Sequence, residues 1–109
     1  MKLLIAGSRT IENFDLTPYV AVETTLIICG GAVGVDCIAE CFADRHKISK
    51  LVIYPDYKRY GRRAPLKRNE EMVAIADEVL VIWDGKSKGS EYTINLAKKA
   101  GKRLTVVEI

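Results

Sequence analysis

The chain has 109 residues, enough for one domain built around a single core. A hydrophobic share of 49% and a charged share of 28% are those of an ordinary globular protein, and a net charge of +3 is too small to imply a nucleic-acid partner by itself. No apolar run is long enough to cross a bilayer, and residues 1–10 (MKLLIAGSRT) lack the apolar core of a signal peptide, so one cytoplasmic domain over residues 1–109 is expected, away from membranes.

In chain order, five apolar, β-branched runs stand out: residues 2–6 (KLLIA), 25–29 (TLIIC), 50–54 (KLVIY), 78–83 (EVLVIW) and 103–108 (RLTVVE). Most are continuous in hydrophobicity rather than alternating, the mark of strands covered on both faces, as in a parallel sheet. Helical stretches fall between them. A short one is predicted over 15–23, with Asp15 as N-cap and Pro18 in the first turn. Residues 35–47 carry apolar positions at Val35, Ile38, Ala39, Phe42 and Ala43, which fit a helical period. Residues 66–76 and 91–100 complete the set, with Gly101 suited to a C-terminal cap. The alternation of strand and helix predicts a doubly wound α/β domain. Residues 55–65 (PDYKRYGRRAP) are predicted as one long irregular loop, a type that is often functional.

In such a sheet, ligands bind beyond the carboxyl ends of the strands. The segments leaving those ends are Gly7-Ser8-Arg9-Thr10, then Cys29 to Asp36 (CGGAVGVD), then residues 55–72, then Asp84 to Ser90 (DGKSKGS). They hold seven of the eight glycines and the basic cluster Lys58, Arg59, Arg62, Arg63, Lys67 and Arg68. CGGAVGVD matches neither the dinucleotide fingerprint nor a Walker A loop. Its glycines serve either a tight strand-to-helix turn or a backbone that approaches a bound group, and both readings stay open. Bare amides at a helix start favour an anion. Asp36, in the first helical turn, would repel a phosphate and suits a ribose hydroxyl, an amine or a water instead; the same holds for Asp84. Arg9 is placed to grip a phosphate with Ser8 beside it, or else to pair with Asp84 or Glu12. Tyr57 and Tyr60 interleave with the basic cluster as on a nucleotide or single-strand surface, against the plainer alternative of a solvated loop. Arg68 and Asn69 are better placed to point inward.

Three cysteines, an odd number, do not make a secreted disulfide scaffold. Cys37 and Cys41 share a helix face, and all three thiols are expected to be small buried groups. With one histidine, His46, no metal site is expected.

The ordered set GSRT, GGAVGVD, PD, YG, RNEEM, AD and WDGKSKGS followed by T-I-x-x-A-K-K-A-G-K resembles the YspA/YpsA-related branch of the SLOG superfamily, over residues 6–106. The glycine turn followed by aspartate is also similar to that of DprA. The resemblance implies a Rossmann-like five-stranded parallel sheet in the order 3-2-1-4-5, with helices on both faces. It implies a ligand site made of Gly7, Ser8, Arg9, Gly30, Gly31, Gly34, Asp36, Arg68, Asn69, Asp84, Gly85, Ser87, Gly89 and Ser90. Relatives of the LOG type are phosphoribohydrolases, but here GGAVG is one residue longer than their GGxG. No glutamate falls three residues after Gly34, and Glu40 lies six on.

The expected function is binding, with or without processing, of a nucleotide-derived small molecule of the ADP-ribose, cyclic-nucleotide or nucleoside-monophosphate kind. Its phosphate is expected on the amides of residues 30–35, with Arg9 and residues 85–90 closing over it. If chemistry occurs it is N-glycosidic cleavage, with Asp36 or Asp84 steadying an oxocarbenium-like transition state. The alternatives are a DprA-like module for single-stranded nucleic acid, weakly bound along the basic loop, and a sensor in which ligand binding changes assembly; a homo-oligomer is among the expected partners. No cofactor and no metal are expected.

Overall fold

The computed structural model describes residues 1–109, as five parallel strands in one sheet, order β3-β2-β1-β4-β5. These are β1 (Lys2–Gly7), β2 (Leu26–Cys29), β3 (Ser49–Val52), β4 (Glu78–Trp83) and β5 (Arg103–Glu108). The helices are α1 (Val35–Arg45), α2 (Tyr57–Tyr60), α3 (Ala64–Ile75) and α4 (Lys88–Lys99). This is the expected Rossmann-like α/β architecture.

The chain first steps from β1 outward through β2 to β3, then crosses back to β4 and continues to β5. Right-handed crossovers therefore put α1 on one face and α3 and α4 on the other. Alternate residues of the central strands feed the two layers. Leu3, Ile5, Ile27, Leu80 and Ile82 pack with Ala39 and Ala43 of α1. Leu4, Ala6, Ile28, Val79 and Val81 pack with Met72 and Val73 of α3 and Ile94 and Ala97 of α4. Both faces of β1 and β4 are buried, which is why their sequences read as unbroken apolar runs. No helix is long and apolar enough to cross a membrane.

Two elements differ from the sequence reading. The helix predicted over 15–23 is a single 3-10 turn, Thr17–Tyr19. Asp15 Oδ1 accepts the Thr17 amide at 3.0 Å and so closes a local turn. The β-branched residues that follow, Val20, Val22 and Thr24, do little for a helix this short. The predicted irregular loop 55–65 is instead mostly ordered. Asp56 Oδ1 caps α2 by accepting the Arg59 amide at 3.1 Å, and a 3-10 turn, Gly61–Arg63, leads straight into α3.

Candidate functional site

The strand order reverses between β1 and β4, and beyond their carboxyl ends lies an open cavity of about 510 Å3. That is the position and size at which open α/β sheets take small ligands. Gly7, Arg9 and Thr10 enter from β1, and Asp36 and Ala32 from the start of α1. Arg68, Asn69 and Met72 come from α3, and Asp84, Lys86, Ser87, Gly89, Ser90 and Thr93 from the segment joining β4 to α4.

The glycine turn is built around Asp36. Gly34 has φ 78 and ψ −131, a conformation that side chains avoid, and a Cβ there would lie 2.4 Å from the Ser8 carbonyl oxygen. The chain thus passes from β2 into α1 pressed against the end of β1, where the Val35 amide donates to Ser8 O at 3.3 Å. Asp36 is buried, and its Oδ2 accepts the Ala32 amide at 3.1 Å. Burial raises its carboxyl above the ordinary aspartate range, opposed by the Ala32 amide, Arg68, the Gly30 amide and Arg9. The carboxylate of Asp36 therefore occupies much of the anion pocket that bare amides at 30–35 would offer. Gly30, Gly31 and Gly34, expected to touch the ligand, do not line the cavity; their lack of side chains serves the chain's own packing.

Arg68 lies beside this turn and is also buried. Its Nη1 donates to the Gly30 carbonyl, and at 3.5 Å to that of Ile53, while Nε donates to Asn69 Oδ1 at 2.9 Å. It makes no direct ion pair with Asp36. Desolvation lowers its pKa, partly offset by the nearby charge of Asp36. Arg9 contrasts with it: exposed on the cavity rim, it makes no ion pair with Asp84 or Glu12 and no hydrogen bond within the chain.

Asp84 is committed to the loop. Its Oδ1 accepts the amides of Lys86 and Ser87 at 2.8 and 2.9 Å, and its Oδ2 accepts the Thr10 hydroxyl at 2.9 Å. Those donors hold its carboxyl down to about 2, the Lys86 and Ser87 amides foremost. The amide of Asp84 donates to the buried Ser8 Oγ at 3.0 Å, so Ser8 ties β1 to β4 from beneath the cavity rather than facing it. Gly85 also stays off the cavity wall, with φ 80 in the turn that Asp84 organises. Ser87 then caps α4, its Oγ accepting the Ser90 amide at 3.3 Å. The two aspartates treated alike in the sequence thus separate: one braces the loop fully ionised, the other is buried with a raised pKa.

Thr10, Lys86 and Thr93 join the cavity beyond the expected set. Thr10 and Lys86 lie inside the segments flagged on the rim, so their neighbourhood was legible; Thr93 is one helical turn past Gly89, whose carbonyl accepts its hydroxyl at 3.1 Å. The cysteines fall otherwise than expected. Cys29 is buried and its thiol is pushed up to about 12 by desolvation first, then by Asp36, which makes it inert. Cys37 and Cys41 are exposed, because α1 turns Val35, Ala39 and Ala43 to the sheet and leaves them on the outer face.

The fold and the cavity together define a Rossmann-like α/β protein with a cation-rimmed hollow at its topological switch point. Comparison with family models, curated proteins and solved structures gave no match.

Proposed function

We propose that this chain binds a nucleotide-derived small molecule in the switch-point cavity, as its resemblance to SLOG domains implies. The observation that carries the reading is the division of labour among the charges. Arg9, exposed and without a partner, lies on the same cavity as Lys86 and the N-terminal turn of α4, Ser87 to Ser90. An arginine, a lysine and a helix N-terminus lining one cavity suit a phosphate-type group. With the Ala32 amide taken by Asp36, and those of Lys86, Ser87 and Ser90 taken by Asp84 and Ser87, the phosphate rests mainly on the side chains of Arg9 and Lys86. Asp36 then faces the sugar or base, where a hydroxyl or an amine supplies the donor its carboxylate lacks.

The test is calorimetric titration with a panel of nucleoside phosphates. Arg9→Ala is expected to cost about 1.5–3 kcal/mol of binding, the range of a hydrogen bond to a charged group. Its thermal stability should stay within about 0.5 kcal/mol of wild type, as for an exposed residue without partners. Equal affinity in the variant would remove Arg9 from the site.

A second reading, N-glycosidic cleavage, rests on Asp36 alone, since Asp84 is held by three donors. Base release from a nucleotide by wild type, with turnover lost far more than affinity in Asp36→Asn, is what that reading requires.

A further inference from the structure

The face of α1 turned away from the sheet carries two thiols side by side. The helix buries Val35, Ala39 and Ala43 against the strands, so Cys37 and Cys41 emerge together on the opposite side, both exposed. Residues four apart on a helix hold their Cβ atoms about 5–6 Å from each other. A helical side chain leans toward the N-terminus, which carries the Cys41 sulfur over the turn that bears Cys37. The Cys37 thiol responds to that neighbour. It is raised above its ordinary value by the charge of Cys41 first, then by desolvation, a hydrogen bond to Cys41 and the charge of Glu40.

Two thiols this close have two uses, a disulfide or a shared ion. A disulfide needs Cβ atoms about 3.5–4.5 Å apart, closer than adjacent turns of an α-helix bring them, so α1 has to distort before that bond closes. A shared ion fits the helix as it stands. Two metal–thiolate bonds of about 2.3 Å, set end to end, span about 4.6 Å, which ordinary rotamers of two cysteines on adjacent turns can reach.

The surroundings select the ion. Asp36 is buried beside the glycine turn, Glu40 and Asp44 share Lys50 Nζ at 3.3 and 3.0 Å, and His46 stacks on Phe42 with ring centroids 4.1 Å apart. Cys29, the remaining thiol, is buried at the end of β2. Nowhere does the chain gather three or more His, Cys, Asp or Glu side chains into a group able to hold a metal. Two sulfurs without a third donor leave Zn2+ short of its four ligands and offer nothing to cations that prefer oxygen. A soft ion satisfied by two thiolates remains.

We propose that Cys37 and Cys41 form a two-coordinate site for a soft monovalent cation of the Cu(I) kind on the outer face of α1. Each thiol gives its proton to solvent as its metal–sulfur bond forms, and the ion keeps its oxidation state. Neither cysteine lines the switch-point cavity, so the inference stands apart from the nucleotide reading.

The test is an anaerobic titration of the reduced full chain with Cu(I) held by bicinchoninate, read by the fading colour of that complex. Native mass spectrometry counts the ions per chain. Wild type should withdraw one Cu(I) per chain. Cys37→Ser and Cys41→Ser should each weaken that affinity at least about 100-fold, beyond the loss caused by removing a group that only supports a ligand. Both positions are exposed, so each variant should melt within about 0.5 kcal/mol of wild type, which separates lost binding from lost fold. An equal concentration of Zn2+ should leave the Cu(I) in place. No uptake by wild type, one ion shared between two chains, undiminished affinity in either serine variant, or displacement by Zn2+ overturns the proposal.

Discussion

Replacing Arg68 by methionine removes the guanidinium while keeping an unbranched chain of similar reach, so the effect reports lost hydrogen bonds more than a new cavity. Three acceptors lose their donors: the carbonyls of Gly30 and Ile53 and the side-chain oxygen of Asn69. Gly30 and Asn69 are buried, and a buried acceptor left unpaired costs about 1–3 kcal/mol. The Ile53 bond is long at 3.5 Å and its carbonyl only part-buried, so it adds less than either. The expected loss is therefore about 3–5 kcal/mol, a large share of the 5–15 kcal/mol typical of a whole domain. At about 4–8 °C per kcal/mol for a domain near this size, Tm should fall by at least about 12 °C. Urea and thermal unfolding followed by circular dichroism, with Arg9→Ala as the partner variant in the same cavity, measure it. If Arg68→Met unfolds within about 1 kcal/mol of wild type, water replaces the guanidinium freely and Arg68 does not brace the turn.

Gly34→Ala should destabilise the fold by about 1–3 kcal/mol from backbone conformation alone, and more because its Cβ meets the Ser8 and Arg9 backbone; a melt no lower than wild type contradicts the packing described. Asp36 has a folded pKa raised by burial, so the stability tied to its proton is full below the ordinary aspartate value of 3.8 and lost as pH rises through the folded value. Measured across that window, Asp36→Asn should gain stability relative to wild type with rising pH, and a difference that shrinks instead would mean that its amide and arginine neighbours outweigh burial. Nucleotide affinity should survive moderate salt, whereas a polymer along the basic segment would lose affinity with a slope of about −0.7 per phosphate contacted. Lys58, Arg62 and Arg63 are exposed and do not line the cavity, so changing all three to alanine should leave mononucleotide affinity intact; tight oligonucleotide binding at physiological salt, lost in that variant, would favour the single-strand reading.

Hydrophobic continuity determined the sheet. EVLVIW and RLTVVE became β4 and β5 at the bounds read from sequence, because strand formation there answers to a local run of β-branched residues. The face that α1 turns to the sheet was likewise readable from its period, as was the gathering of the glycine-rich and basic segments on one edge, which parallel strands impose whatever their order. Short helices were not readable. Residues 15–23 and 55–65 exchanged their expected characters because a few residues gain too little from propensity to settle their state, and neighbouring turns and caps decide it. The roles of individual side chains were decided by contacts distant in sequence. Asp84 finds two of its donors locally, at Lys86 and Ser87, but the third is Thr10, brought in by the pairing of β1 with β4. Arg68 is one of six basic residues in its segment, and only the packing of α3 against the ends of β2 and β3 gives it carbonyls to bind. Gly31 reads as a place for a ligand until the ring of Tyr54 is seen to fill it. Sequence alone could mark where amides and charges gather; which of them the chain uses on itself, and which it leaves for a ligand, depends on distances that exist only after folding.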